Sequence, residues 1–241
     1  MKSKIILPAF LSFLLFTGCA TNIATEVHQD YQQTIDRSQP QVMMIAPIDI
    51  SVKELTASGA TEEVPDWTEA GLQNIESSVM AYLDQTYNMT PIDIPDMTIE
   101  DQQILDQHIQ LYKIVSANYF RYKNLPAYKY THTGYNATLG DGLGWIKQKY
   151  DTDLLLIVTG NNSCSSGGRV ATAAAAAILL GATVQMGHAI LHAGVVDLET
   201  GNILWTNTSY SESIGFRSAS EAGTLVKKVF SNYPGLGTGH K

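Results

Sequence analysis

The chain has 241 residues and a formal net charge of −8, with 15 Lys and Arg against 23 Asp and Glu. That balance, with no basic stripe, argues against nucleic acid and anionic lipid headgroups as main partners. Two cysteines exclude a disulfide scaffold, and the length suffices for one domain with a core of its own.

The chain opens "MKSKIILPAFLSFLLFTGCA". Lys2 and Lys4 form a short positive segment, and Ile5 to Phe16 an apolar run too short to span a bilayer. Thr17, Gly18 and Cys19 follow. This resembles the lipobox of bacterial lipoproteins, with Phe16 where Leu is commonest. The resemblance implies a signal peptide over 1–18, a diacylglycerol on the Cys19 sulfur, and acylation of the amino group that cleavage frees. Ala20, rather than Asp, implies sorting to the outer membrane by resemblance to enterobacterial lipoproteins, and the expected location is its periplasmic face. The membrane would be held through acyl chains on Cys19 rather than through charge. Cys164 would then be a lone thiol in an oxidising compartment: buried, functional, or bridging between molecules.

Residues 19–40 are polar and weakly periodic, and read as a lipidated terminus and flexible tether with room for one short helix. As coil, ~21 residues reach roughly 25 Å. A single periplasmic α/β domain is expected over 41–235, with a disordered tail over 236–241. "VMMIAPIDI", 42–50, is nearly continuous apolar sequence, as in a central strand covered on both faces, with Pro47 near its end. Asp66 and Glu69 form a capping-box pattern ahead of a helix whose buried face carries Leu72, Ile75, Val79, Tyr82 and Leu83. "MTPIDIPDM" predicts a short strand closed by Pro95. Thr98 and Asp101 start the longest helix, striped by Leu105, Ile109, Tyr112, Val115 and Tyr119, and ended by Lys123 and Asn124 before Pro126.

A Tyr- and Gly-rich loop follows, then a short helix over "WIKQKY". "DTDLLLIVTG", 151–160, is the strongest strand signal in the chain. "HAGVVDLETGNILWTNTSY" reads as a β-hairpin turning at Gly201. A terminal helix capped by Ser218 or Ser220 ends before Gly235. The fold class is therefore α/β: a mixed central sheet packed by helices, with a C-terminal hairpin and a terminal helix.

Residues 161–189, "NNSCSSGGRVATAAAAAILLGATVQMGHA", admit three sharp readings and one plain one. The apolar run from Val170 to Val184 is too short and too rich in Ala and Thr to span a membrane. Gly167 and Gly168 precede Arg169 with no Lys-Ser or Lys-Thr pair, so a phosphate loop is not supported, and "GDGLG" follows no strand. Ser163, Cys164, Ser165 and Ser166 could offer a nucleophile with His188 or His192 as base, but no G-x-S-x-G elbow surrounds them. The plain reading is strand, Ser/Gly loop, Ala-rich helix closed by Gly181, then strand. On that strand His188 and His192 share a face ~13 Å apart, too far to chelate one ion, and read as structural. The stretch "NYFRYKNLPAYKYTHTGY" mixes Tyr with Arg121, Lys123 and Lys129 and reads as a solvated loop, with protein or glycan contact as the alternative.

The stretches "DWTEAGLQNI", "DTDLLLIVTGNNSCSSGGRVA" and "AGVVDLETGNILWTN" together resemble a small family of proteobacterial envelope lipoproteins of unassigned role, over most of 42–235. More distantly, the order of elements and the D-x-x-T-G hairpin ending in Trp205 are similar to the TolB N-terminal domain, the curli secretion lipoprotein and the lipoprotein activators of peptidoglycan synthases. That resemblance implies an α/β sandwich that binds or assembles, in some cases as a ring, and it transfers no catalytic residue.

If 42–50 and 153–160 are parallel neighbours, the loops after them leave one sheet edge, where open α/β sheets hold ligands. A candidate binding loop of Ser163, Cys164, Ser165, Ser166 and Arg169 would then lie near Asp49, Ser51 and Glu54. The expected function is a lipid-anchored, non-catalytic interaction or assembly module of the cell envelope, self-associating or joining an envelope complex. The alternatives are a small-ligand or glycan-binding lipoprotein using that loop crevice, then a Cys/Ser hydrolase. No cofactor or metal is expected.

Overall fold

The strands follow from where the apolar residues fall. In the computed structural model, which describes residues 21–31, 41–86, 89–92, 97–123, 125 and 134–234, the elements run in this order. They are β1 (Thr21–Val27), β2 (Gln41–Ile45), β3 (Asp49–Leu55), β4 (Thr61–Glu63), α1 (Pro65–Thr86), β5 (Met89–Ile92) and α2 (Ile99–Tyr122). Then come α3 (Gly144–Tyr150), β6 (Leu154–Ser165), α4 (Gly167–Leu180), β7 (Gly187–Asp197), β8 (Ile203–Ser211) and α5 (Ala219–Phe230). The expected signal peptide, the Cys19 anchor, most of the Tyr-rich loop, Pro95 and the tail from Gly235 lie outside the described residues.

Among the described residues the strands form one eight-stranded mixed sheet, ordered β1-β8-β7-β6-β2-β5, with β3 also on β6 and β4 on β3. The α/β class and the mixed sheet expected from the sequence are present. β6 is the spine. It pairs antiparallel with β7 from Leu154↔Asp197 to Cys164↔Gly187, and parallel with β2 and then β3 along its other side. Leu154, Leu156 and Val158 bury on one face and Leu155 and Ile157 on the other, which is why the run is continuous rather than alternating.

Three expectations need correction. The run 42–50 is not one strand: Pro47 has no N–H to donate, and the chain breaks into β2 and β3 around it, both still on β6. The stretch 19–40 is not all tether: Thr21–Val27 pairs antiparallel with β8, and Tyr31 is fully buried. The helix after β4 begins at Pro65, so Asp66 sits in its first turn rather than at its cap.

One face of the sheet carries α1 and α5 over Val52, Ile75, Val79, Leu83, Leu191, Trp205, Val226 and Phe230. The other carries α2 and α3 over Met44, Leu105, Ile109, Tyr112, Ile146, Leu155 and Ile157. Thr98 caps α2 as expected, its hydroxyl accepting from Asp101 N at 3.1 Å. Tyr112 can sit on the sheet only because residue 194 is Gly: a Cβ there would lie 2.5 Å from the ring. The Tyr112 hydroxyl bonds Thr206 Oγ1 at 2.8 Å, and burial pushes its pKa up to about 12. The β7–β8 hairpin turns at Gly201, at φ 70°.

Candidate functional site

The apolar face under α2 turns polar halfway along the sheet. Three rows of register partners cross it. The first joins Asp49, Thr159, His192 and Thr208 on β3, β6, β7 and β8. The second joins Ser51, Asn161, Ile190 and Tyr210, and the third Lys53, Ser163 and His188. Because side chains alternate along each strand, all three rows face the α2 side.

Gln110, Lys113 and Ala117 stand at i, i+3 and i+7 on α2 and wall the rows from one side. Asp49 Oδ2 accepts from Lys113 Nζ at 2.8 Å and from Gln110 Nε2 at 2.9 Å. Lys53 Nζ lies 3.4 Å from Glu63 Oε1, and Ser51 Oγ donates to the same oxygen at 3.4 Å. Between them is a cavity of about 590 Å³. His192 Nδ1 lies 2.8 Å from Thr208 Oγ1; burial, with the charge of Lys113 adding to it, pushes the imidazole pKa down to about 4.

The expected loop site does not assemble as such. Ser163, Cys164 and Ser165 belong to β6, and Ser166 is the N-cap of α4, accepting from Arg169 N at 3.1 Å. The strand continues because β3 and β7 supply partners through Leu55 and Gly187. Glu54 does lie beside Cys164, and Arg169 reaches Thr56 O at 3.3 Å and Gln185 O at 2.8 Å. Asp49 lies at the far end of β3, opposite Thr159, in the cavity under Lys113. Ser51 lines the same cavity, so the eight residues divide between two places.

A smaller cavity of about 220 Å³ opens on the opposite face at Asn162, Cys164, Arg217 and Glu221. Burial pushes the Cys164 thiol up, with Arg217 opposing, so the thiolate a nucleophile needs is disfavoured at neutral pH. Ser163 Oγ lies 3.2 Å from His188 Nδ1, and the His188 ring stacks on Tyr210 with centroids 6.0 Å apart. Among the described residues no carboxylate hydrogen-bonds His188, so the pair has no orienting acid of the triad type. Among the described residues no group of three His, Cys, Asp or Glu could hold a metal.

Sequence reasoning passed over Thr159, Asn161, Lys53, Glu63, Gln110 and Lys113. A signal for the first two was present: Thr159, Asn161 and Ser163 keep the period of two after the apolar run ends. The helix residues had none, because only packing brings α2 to this edge.

No protein-family model and no curated protein matches the chain. Among solved structures it is similar to the PelC dodecamer from Paraburkholderia phytofirmans in space group P6. Identity is 11% and the TM-score 0.37, over 89% of this chain and 95% of that one. A substituted form of that dodecamer in space group C2 gives 11% and 0.34, over 89% and 96%. At these values the likeness bears on neither function nor assembly.

Proposed function

We propose that this chain is a non-catalytic interaction and assembly module of the bacterial cell envelope, anchored through acyl chains on Cys19 and covered, when working, by further copies of itself. The observation that carries this reading is α4. None of its 14 residues is buried, and Ile178, Leu179 and Leu180 are 83%, 78% and 79% exposed. Its only charge is Arg169, bonded back to Thr56 O just after β3 and to Gln185 O. An apolar helix left in water is unfavourable, and such patches mark surfaces that another body covers. The Ala run gives it a thin profile suited to close helix–helix approach.

The N-terminal strand adds to this. Thr21 pairs with Tyr210, at the end of the sheet toward which β6 runs before α4. Only Ala20 separates Cys19 from β1, and two residues span at most about 7 Å. A lipidated Cys19 would therefore hold the α4 end of the domain against the outer membrane, much closer than a long tether allows. Copies held in one plane meet repeatedly by the same face.

Sedimentation velocity of the lipidated chain in detergent tests the reading, beside a Leu179→Lys, Leu180→Lys variant. Oligomers in the first and monomers of unchanged thermal stability in the second are expected. A monomeric wild-type chain at every concentration, or oligomers indifferent to both substitutions, overturns it.

A further inference from the structure

We propose that the cavity between α2 and the sheet rows of Asp49 and Ser51 is a binding site for an uncharged, polyhydroxylated small molecule, a mono- or disaccharide. The inference stands apart from self-assembly, since it uses neither α4 nor Cys19.

The first argument is an orphan. Thr159 lies on the central strand, at the floor of the cavity, and is 1% exposed. Its Oγ1 has no hydrogen-bond partner among the described residues. A buried hydroxyl left unpaired is destabilising, and an apolar residue of the same shape would serve a structural role better. The face beneath α2 is apolar at Leu155 and Ile157 and turns polar at Thr159 and Asn161, where the cavity begins.

The second argument is charge. Asp49 and Glu63 are balanced by Lys113 and Lys53, each acid within ion-pair distance of one of the amines. An ionic ligand would have to break one of these pairs, whereas a hydroxyl can join them. His192 is neutral at neutral pH and its Nδ1 is held by Thr208 Oγ1, so it brings no charge to the cavity that would favour an anion. The side-chain amides of Gln110 and Asn161 add further donors and acceptors at the walls.

The third argument is size. About 590 Å³ falls within the range of small-molecule sites. Among the described residues no Phe, Tyr or Trp ring lines it, so recognition would rest on hydrogen bonds without stacking, and a Kd on the order of millimolar is expected.

The test is saturation-transfer NMR on the lipidated full-length chain in a zwitterionic detergent, which carries no sugar headgroup. The probes are glucose and N-acetylglucosamine, with glucuronate and alanine as charged comparators. Transfer to the neutral sugars, weaker transfer to the comparators, and loss of about tenfold in affinity in Thr159→Val and in Asn161→Ala are expected. Thr159→Val should keep or raise the melting temperature, because it removes an unpaired hydroxyl. Absence of transfer to either neutral sugar overturns the proposal, as does preference for a comparator or undiminished binding in both variants. A lowered melting temperature in Thr159→Val also overturns it, since the hydroxyl would then be structural, satisfied by an ordered water. Failure here leaves the sedimentation result for α4 unaffected.

Discussion

Replacing Gly194 by Ala should break the seating of α2 on the sheet. The new Cβ would lie 2.5 Å from Tyr112 Cε2 and 2.7 Å from Cζ, against ordinary carbon contacts of about 3.5–4.0 Å. The ring cannot swing clear, because Tyr112 is fully buried between Leu105, Ile109, Ile157 and Val196 and tied to Thr206. The helix must lift by about 1 Å or the sheet must give. Overpacking of this kind costs about 1–3 kcal/mol, a fall in Tm of roughly 2–10 °C for a domain of this size. The decisive assay is a double-mutant cycle by urea denaturation. Tyr112→Ala alone should cost about 3–5 kcal/mol, but in its presence Gly194→Ala should become neutral or stabilising, giving a coupling of about 2 kcal/mol. Additive losses would refute the contact. Because Lys113 follows Tyr112, Gly194→Ala should also loosen the ion pair with Asp49 and weaken any ligand in the cavity.

Other outcomes follow from the same geometry. Asn162 is buried, accepting from Phe216 N at 3.0 Å and donating to His188 O at 3.1 Å, so Asn162→Ala should cost about 2–4 kcal/mol by chemical denaturation; a loss under half a kcal/mol would contradict these bonds. His192 titrates at about 4 in the folded chain against 6.5 when free. The unfolded chain therefore binds the proton first. Stability is full above pH 6.5 and declines as pH falls toward 4, by at most about 3 kcal/mol. Denaturant melts across that window should show a smaller decline in His192→Gln, and equal declines would refute the assignment. Removing residues 21–31 should uncover the β8 edge and the site of Tyr31, and yield a chain that aggregates; a soluble truncated chain of unchanged Tm would show that β1 does not hold the sheet.

The sequence by itself determined what depends on local pattern. The period of two and the apolar runs mark β6, β7 and β8; the helical stripes mark α1 and α2; Gly201 marks the hairpin turn, and Gly181 closes α4. Those signals reside in neighbouring residues and survive without any partner. Tertiary structure decided the rest. Whether 161–165 was loop or strand depended on β3 and β7 running far enough to pair with it, and nothing within those five residues records that. The polar stretch at 21–27 became an edge strand because β8 had an open ladder beside it. Asp49 left the Ser/Gly segment for Lys113 because Pro47 starts β3 level with Thr159, which places Glu54 rather than Asp49 beside Cys164. Register and helix docking are properties of pairs of segments distant in the chain, so the polar cavity they create has no signature at any one place in the sequence.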